Sequence, residues 1–384
     1  MKKALQIMSY VLVALIASAA TLFFAVREQG TGYSKLEQLE ALITDRFIGE
    51  VDNKEINDAA AHAMVGALGD RWSYYIPADQ YSAYKDQMNN SYVGIGVTVR
   101  EREDGTGIDI LEVTKGGPAE EAGLLAGDVI VGVDGQTAAG SDLDAIKNLI
   151  RGEQGTKVTL TVRREGKNLE IPVTRRLIQT PVAVATLLDN GIGLVTIENF
   201  DARCRDESVV AIESLLEQGA TKLIFDVRNN PGGYKHELVA LLDYLLPEGL
   251  IFRSEYYDGT TEEERSDAKC LDIPMAVLIN GDSYSAAEFF AAALQDYDKA
   301  VIVGEKTCGK GYFQATYQLN DGSAVGLSVG KYYTPKGISL AGVGITPEIE
   351  IVLDAETAAS VRAGTLAPEQ DPHIQAAVDA LTAG

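Results

Sequence analysis

The spacing of apolar and charged positions divides the chain into stretches of different character. The first stretch, Ala4–Val26, carries no charge; at ~1.5 Å per residue it spans roughly 34 Å, enough to cross a bilayer as a helix. Two lysines precede it and acidic residues follow soon after Arg27, which orients the N-terminus inside and the bulk outside. We expect a single-pass anchor at 1–30 in the cell membrane, with the rest extracytoplasmic. Ala17-Ser-Ala19 also fits a cleavable signal peptide, so cleavage stays open.

The next stretch, 31–90, has a helical pattern. Apolar residues recur at three- and four-residue steps, which is typical of an amphipathic helix. A second helix is predicted through Ala59–Leu68 and a third over Ala78–Met88. The aromatic run Arg71–Pro77 between them is predicted to be a packed loop. The residues that carry the first pattern are Leu36, Leu39, Leu42, Ile43 and Phe47.

From 91 to 177 apolar residues tend to occupy every second position, the spacing typical of strands. Val93–Val99 and Ile108–Val113 alternate like strands, and Asp128–Gly135 reads as a strand that ends in an Asp-Gly turn. A β-rich domain is therefore predicted here. Its remaining elements are a short helix at Pro118–Leu124, a helix at Leu143–Arg151 and a closing hairpin formed by Val158–Val162 and Leu169–Val173.

Beyond Ile178 buried strands alternate with helices, which predicts a layered α/β domain with a mixed or mostly parallel sheet over 178–354. The polar tail 355–384 has one predicted helix, which either docks or stays mobile. The whole chain is thus predicted to be multidomain α+β. The predicted strands are 193–197, 222–227, 275–279 and 300–303, with late strands at 324–331 and 348–352, and the helices are 207–218, 236–245 and 285–294.

Composition narrows the classes of function. A chain of 384 residues with 46% hydrophobic and 23% charged residues is long enough for two or three folded domains. Its net charge of −23 argues against a nucleic-acid partner, because binding phosphates needs clustered Lys and Arg. Neither a metal site nor another cofactor is expected, and no disulfide can be assigned. The cysteines and histidines of the chain are Cys204, Cys270, Cys308, His62, His236 and His373.

Two segments carry candidate chemistry: Asn280-Gly-Asp-Ser-Tyr-Ser-Ala-Ala-Glu288 and Gly304-Glu-Lys-Thr-Cys-Gly-Lys-Gly-Tyr-Phe-Gln314. In the first, Ser285 opens an Ala-rich helix, where backbone N–H groups lack helical partners. In the second, Lys310 lies between two glycines. Serine is a weak nucleophile unless a base takes its proton, and neither segment contains histidine, so a neutral lysine would have to serve.

A neutral Lys310 requires a lowered pKa. Bringing it from about 10.4 to roughly 7.5 costs about 4 kcal/mol of lost ammonium solvation. We expect Phe313 and the adjoining sheet to close around the amine and supply this desolvation. Gln314 can hydrogen-bond the amine without adding charge.

The β-rich segment 91–177 resembles a PDZ domain of the bacterial protease type, a small β-barrel-like fold. The motifs that carry the resemblance are the loop Tyr92-Val-Gly-Ile-Gly-Val97, Gly116-Gly-Pro-Ala and Gly127-Asp-Val-Ile, in that order. Such a domain adds an extended peptide to a strand edge and holds its terminal carboxylate with backbone N–H groups. The resemblance implies peptide binding by Val93, Gly94, Ile95, Gly96 and Val97. Arg151 matches an arginine that contacts substrate in related proteases, although a solvated arginine at a helix end is the alternative.

The order of anchor, helical region, PDZ domain and a last domain with Asp226-Val-Arg-Asn-Asn-Pro-Gly-Gly233, Ser285 and Gly309-Lys-Gly311 resembles the carboxyl-terminal processing proteases, family S41. The likeness covers roughly 35–350 and includes Gly342-Val-Gly-Ile-Thr-Pro347. It implies that Ser285 is the nucleophile, Lys310 the general base and Gln314 the residue that orients the lysine. The oxyanion donors would be the backbone N–H of Ala286 and of a glycine in the pair Gly232 and Gly233. The departures, Tyr284, Ala287 and Cys308, remove no catalytic group.

Simpler readings exist for each residue. Ser285 alone would be a helix N-cap, with Ser283 as the neighbouring cap or turn residue. Lys310 alone would be a surface lysine, and Arg228 would form a structural ion pair.

The sequence thus predicts a membrane-tethered endopeptidase that recognises accessible C-termini of proteins or peptides and cleaves through an acyl-enzyme. The alternative is a catalytically silent PDZ adaptor that presents client tails, and a third hypothesis has the PDZ domain gate the dyad. The helical N-terminal region and the tail would suit a homo-oligomer. The substrate and the oligomeric state stay open.

Overall fold

The computed structural model describes residues 35–102, 104–140 and 142–383. The predicted anchor, 1–30, lies outside the described residues. None of the helices described is both long and apolar enough to span a bilayer. The chain separates into two compact units, the first ending at Met64 and the second beginning at Val65.

The first unit is helical, as the apolar spacing predicts. It contains α1 (Lys35–Arg46) and most of α2 (Asn53–Gly66). In the second unit, the aromatic run predicted to be a loop contains a short strand, β1 (Tyr74–Ile76), and the third predicted helix is α3 (Tyr81–Met88).

The PDZ region forms its own sheet and core. The sheet order is β3-β4-β5-β7-β8, with β6 paired to β5. The single strand predicted over Val93–Val99 is two strands, because Gly96 has a φ of +75° and breaks the extended backbone. The elements are β2 (Ser91–Gly94), β3 (Val97–Glu101), β4 (Ile108–Val113), α4 (Pro118–Glu121), β5 (Val129–Val133), β6 (Gln136–Thr137), α5 (Leu143–Ile150), β7 (Lys157–Arg164) and β8 (Lys167–Thr174). Strand β2 pairs instead with β9 (Arg176–Gln179).

A six-stranded sheet of order β10-β11-β12-β15-β16-β19 forms the centre of the last domain. All neighbouring pairs are parallel except β10 and β11, so the predicted mostly parallel sheet is confirmed. The strands are β10 (Ala183–Leu187), β11 (Ile192–Ile197), β12 (Lys222–Asp226), β15 (Met275–Ile279), β16 (Ala300–Gly304) and β19 (Ile349–Glu350). Helices α6 (Cys204–Glu217), α7 (Lys235–Leu245) and α8 (Ala286–Asp296) contribute to the core on one face.

A second sheet, antiparallel throughout, lies beside the site. Its order is β1-β18-β13-β14, with β17 paired to β18. The strands other than β1 are β13 (Gly249–Tyr256), β14 (Thr261–Ser266), β17 (Tyr312–Gln318) and β18 (Ala324–Tyr333). Because β1 pairs with β18, the segment just before β1 is held close to β17, which follows Lys310.

The tail docks on the domain. Helix α9 (Ala355–Arg362) is followed by α10 (Pro372–Thr382), which covers the other face of the parallel sheet. Ile374, Ala377 and Leu381 are buried there. The region predicted as a separate tail, 355–384, therefore completes the core of the domain predicted over 178–354.

Candidate active site

Ser285 lies at a sharp turn between β15 and α8. Its φ of 59° and ψ of −123° are strained for a residue with a side chain. Such outliers cluster at functional sites, where the surrounding structure holds them. The order of strand, strained serine and helix N-terminus resembles the turn that carries the nucleophile in other serine hydrolases, where the hydroxyl is aimed away from the backbone.

The neighbouring serine has a structural role. Ser283 is fully buried, and its hydroxyl donates to the carbonyl of Val227 at 2.7 Å and accepts from the N–H of Asn280 at 3.0 Å. The Ser283 hydroxyl is therefore engaged both by its own turn and by the segment that follows β12. Between these two serines, Ser285 is the one placed at the helix N-terminus.

Glu288 links the serine turn to the lysine loop. This carboxylate is fully buried in the first turn of α8. One oxygen, Oε2, accepts from the backbone N–H of Ser285 at 3.0 Å and of Lys310 at 2.8 Å. The other oxygen accepts from the Thr307 hydroxyl and the Gly309 N–H at 2.6 and 2.7 Å. Burial raises the pKa of Glu288, and these four donors oppose the shift. The backbones of Ser285 and Lys310 are therefore fixed to the same atom.

The glycines around Lys310 allow close packing of another loop. A Cβ on Gly311 would lie 2.2 Å from the Ala341 nitrogen, and one on Gly309, which has φ +80°, would lie 3.0 Å from the Gly344 nitrogen. Gly342 also donates to the Gly309 carbonyl at 2.8 Å. The backbone that approaches these glycines is Ala341–Gly344.

The Lys310 amine lies on aromatic rings. Its Nζ is 4.9 Å from the ring centroid of Trp72 and 5.6 Å from that of Tyr284. Burial lowers the pKa of Lys310, while Cys308, Glu288 and Asp70 oppose the shift. The aromatic cover differs from the one expected: Phe313 stacks on Tyr332, with ring centroids 4.5 Å apart.

The three predicted catalytic side chains are not hydrogen-bonded to one another. Within the described residues, the Lys310 amine donates no hydrogen bond to Ser285 Oγ or to Gln314. The Gln314 amide instead donates to Ser328 Oγ at 3.0 Å. The structure brings the backbones of Ser285 and Lys310 together and leaves the Lys310 amine turned toward the aromatic rings.

Two backbone N–H groups near Ser285 are available for an oxyanion. Neither the Ala286 nor the Gly233 N–H donates a hydrogen bond to any residue in the described ranges. The Gly232 N–H, by contrast, donates to Asn230 Oδ1 at 2.8 Å. Of the predicted glycine pair, Gly233 therefore carries the available donor. Gly232, with φ +88°, provides close approach, because a Cβ there would lie 2.8 Å from both Ser285 Cβ and the Ala286 nitrogen.

A buried ion cluster supports this glycine loop. The Arg228 side chain is 4% exposed and contacts Asp226 at 2.6 Å and Asp371 at 2.8 Å. Asp371 caps α10 by accepting from the N–H of His373 and Ile374. Arg228 thus forms a structural ion pair, as the simpler interpretation of this residue predicts. Its contact with Asp371 connects the glycine loop to the docked tail.

The predicted peptide groove lies between β3 and α5 in the PDZ region. The Ile95 and Gly96 N–H groups donate no hydrogen bond to other described residues, as expected of a loop that holds a carboxylate. The Arg151 guanidinium lies 5.6 Å from the Tyr92 ring centroid, at the end of α5. A cavity of about 320 Å³ in this groove is lined by Tyr92, Gly94, Ile95, Gly96, Val97, Thr98, Val99, Lys147, Ile150 and Arg151.

One residue predicted for the groove lies elsewhere. Val93 is on β2, paired with Leu177 of β9, and lines a separate cavity of about 1060 Å³. Arg151 lines both cavities. The three cysteines, all within the described ranges, are free thiols.

Sequence reasoning missed two functional candidates. Glu288 stands in the quoted serine motif without a role, although a glutamate three residues after an N-cap serine is a capping-box signal. Trp72, the only tryptophan, was placed in a packed loop. Its position in an aromatic run is a signal of packing, but sequence alone does not show which side chain it covers.

Comparisons with known proteins agree with this architecture. Residues 191–351 match the model of peptidase family S41, and residues 93–174 match that of the PDZ domain. The carboxy-terminal processing protease CtpA of Bacillus subtilis (strain 168) is 33% identical over 367 residues, which cover 92% of this chain and 78% of that protein. A probable CtpA-like serine protease of Staphylococcus saprophyticus is 31% identical over 84% of this chain and 66% of its own length.

The solved structures extend the likeness to three dimensions. The photosystem II D1 C-terminal processing protease superposes with a TM-score of 0.50 and 26% identity, covering 88% of this chain and 92% of its own. A putative S41 protease from Bacteroides fragilis gives a TM-score of 0.55 at 16% identity over 92% and 98%, which shows the fold alone. A PDZ domain joined to a layered α/β domain with a strained serine defines a PDZ-containing peptidase. The chain belongs to peptidase family S41 and is homologous to the CtpA carboxy-terminal processing proteases.

Proposed function

We propose that this S41 serine protease is a membrane-tethered, extracytoplasmic endopeptidase that works through a dyad of Ser285 and Lys310. The observation that carries the proposal is the shared Glu288 oxygen, because it fixes the strained serine turn and the lysine loop to one point. The available N–H groups of Gly233 and Ala286 beside the serine support the same reaction.

The reaction is acyl transfer to serine followed by hydrolysis. Neutral Lys310 takes the proton from Ser285 Oγ as the oxygen attacks the peptide carbonyl. The N–H groups of Gly233 and Ala286 stabilise the oxyanion, and each essential donor of this kind contributes about 3–4 kcal/mol. The lysine then returns its proton to the leaving amine, and a water molecule hydrolyses the serine ester.

A side-chain rotation precedes this step. In the structure the amine lies on Trp72 and Tyr284, so it has to turn toward Ser285 Oγ. Lysine has four rotatable side-chain bonds, and its backbone position next to the serine turn is already fixed. Gln314 would accept the amine as a neutral hydrogen-bond partner and hold it in the productive rotamer.

Substrate capture is assigned to the PDZ groove. The N–H groups of Ile95 and Gly96 and the Arg151 guanidinium offer donors for a terminal carboxylate, and the names of CtpA and of the D1 processing protease support a C-terminal substrate. The uncharged segment Ala4–Val26 supports tethering to the membrane. The substrates proposed are therefore protein tails that are accessible outside the cytoplasm.

The test compares the full-length protein with Ser285→Ala and Lys310→Ala. Degradation of casein and of an unfolded-tail substrate is measured, together with labelling by a fluorophosphonate probe located by mass spectrometry. Both variants are expected to lose degradation, and the probe is expected on Ser285. Lys306→Ala, an exposed lysine on the same loop, is the matched control and should keep activity. If Ser285→Ala and Lys310→Ala both degrade substrate like the wild type, the catalytic proposal fails. It also fails if the wild type itself degrades no substrate, and that outcome would favour the PDZ adaptor.

A further inference from the structure

The single tryptophan is placed directly against the proposed base. The ring centroids of Trp72 and Tyr284 are 5.9 Å apart, and the Lys310 amine lies within 5.6 Å of both. Tyr284 belongs to the serine turn, whereas Trp72 comes from the segment before β1. The amine is therefore covered by two aromatic rings that belong to distant parts of the chain.

Trp72 also borders open space. A cavity of about 870 Å³ lies beside the lysine loop and is lined by Trp72, Cys308, Gly309 and Tyr312 among others. Lys310 is absent from the lining of this cavity. The indole thus stands between the amine and a space large enough for many waters.

The Trp72 ring is also contacted by Arg71. The Arg71 guanidinium lies 4.2 Å from the Trp72 ring centroid, and its Nη2 is 3.2 Å from Cys308 Sγ. Because Cys308 is two residues before Lys310, this contact ties the tryptophan segment to the lysine loop.

The backbone of the same segment is held by Asp70. Its carboxylate accepts from the Trp72 N–H at 3.1 Å and from Ser73 Oγ at 2.6 Å. Ser73 Oγ in turn accepts from the Ser328 N–H at 3.1 Å, and Ser328 is the residue that Gln314 contacts. The segment that carries Trp72 is therefore held by β18 and by the loop before β17.

From this arrangement, and resting on the proposed function, we propose that Trp72 is a positioning residue for Lys310. Its indole keeps water away from the amine and so maintains the uncharged form that can accept the serine proton. Tyr284 provides the matching cover from the serine side. Removing the indole would connect the amine to the large cavity.

The charges around the amine do not produce this effect. Burial lowers the pKa of Lys310, and the groups that face it from neighbouring elements, Asp70, Glu288 and Cys308, all oppose the shift. The Arg71 guanidinium lies over the indole ring, 4.2 Å from its centroid, and is not among the groups that shift the pKa of Lys310. The attraction of two rings for a cation is smaller than the ammonium hydration that they displace. Shielding from water is therefore the factor that favours the neutral amine.

The experiment measures the rate constant of Ser285 phosphonylation by a fluorophosphonate as a function of pH, using the full-length protein and intact mass. The rate should rise along an acid limb as Lys310 loses its proton. Trp72→Ala is expected to move this limb upward by about one pH unit, with about tenfold slower labelling on the limb and an unchanged plateau at high pH. Trp72→Phe should restore most of the wild-type profile. Tyr257→Ala is the control, because Tyr257 lines the same cavity and is 82% exposed.

Three results would overturn the inference. The first is an acid limb at the same pH in Trp72→Ala as in the wild type. The second is a rate that falls equally at every pH, as a merely structural role predicts. The third is faster labelling at neutral pH, which would mean that the ring had held the amine away from the serine. Thermal unfolding of each variant verifies that it is folded under the assay conditions. Absence of labelling at Ser285 in the wild type would instead refute the proposed function, so the two failures are distinguishable.

Discussion

Replacing Glu288 with Gln tests whether its carboxylate holds the active site together. The amide keeps the size of the side chain but exchanges one acceptor oxygen for a donor. In its better orientation the NH₂ replaces Oε1 and faces the Gly309 N–H and the Thr307 hydroxyl, of which only the hydroxyl can rotate to accept from it. The remaining oxygen still accepts from Ser285 and Lys310. The opposite orientation would leave the N–H groups of both Ser285 and Lys310 without an acceptor, so Gln should adopt the first.

The cost of this change can be estimated from its parts. The Gly309 N–H, buried without a partner, costs about 1–3 kcal/mol. The two hydrogen bonds from the N–H groups of Ser285 and Lys310 lose their charged acceptor and keep roughly half their strength. Removal of the buried charge offsets part of this loss. We expect the free energy of unfolding to fall by about 2–3 kcal/mol. A shift of the Gly309–Gly311 loop by about 1 Å should slow acylation by on the order of 100-fold.

The assay combines urea unfolding with the rate of Ser285 phosphonylation in full-length protein. Glu356→Gln, which removes an exposed charge on α9, serves as the control and should match the wild type in both measurements. Acylation of folded Glu288→Gln within about threefold of the wild-type rate would refute the argument that this carboxylate positions the dyad.

Three further predictions concern the glycine loop, the tail and the PDZ core. Gly232→Ala should slow acylation by about 100-fold in a folded protein, because its Cβ would lie 2.8 Å from the serine turn and disturb the oxyanion donors. Asp371→Asn should lower the unfolding free energy by about 3 kcal/mol in urea titrations, because it removes a buried partner of Arg228. The pKa of Asp128 is lowered: burial acts against this shift, but the hydrogen bonds from Arg164 outweigh it. The wild type should therefore be more stable than Asp128→Asn above about pH 4. This difference should shrink when thermal unfolding is measured at lower pH.

Each of these has a control and a contrary result. Gly364→Ala has positive φ but open space at the Cβ, so faster or equal acylation in Gly232→Ala relative to it would contradict the close-approach argument. Asp379 is exposed on α10, and equal stability of Asp371→Asn and Asp379→Asn would contradict a role for the buried pair. A difference for Asp128→Asn that stays constant with pH would contradict the linkage.

The sequence predicts the elements whose pattern is strong. The parallel strands are continuous apolar runs, and the PDZ strands alternate, so both sheets could be anticipated. The hairpin of β13 and β14 was missed because every residue of Thr261–Ser266 is polar, as an edge strand permits. The break at Ile95 and Gly96 depends on a positive φ that glycine allows but does not require.

The site was predictable only as far as local motifs reach. Ser285 and Lys310 stand in recognisable turns, so their proximity could be proposed before it was seen. Gly233 rather than Gly232 has the available N–H because the Asn230 side chain accepts from the Gly232 N–H, and the spacing of residues in the sequence does not reveal this contact. The Lys310 amine is covered by Trp72 and not by Phe313 because β1 pairs with β18. This pairing joins segments more than 240 residues apart along the chain.

The ion cluster at the end of β12 has a consequence for how the protein is made. Arg228 and Asp371 are 143 positions apart, so the ribosome has still to add the segment bearing Asp371 when the glycine loop has already been synthesised. Until α10 docks, the guanidinium lacks one of its two carboxylates and the parallel sheet lacks the cover of one face. The final arrangement of the glycine loop is therefore expected only after the segment bearing Asp371 has been synthesised, late in biosynthesis.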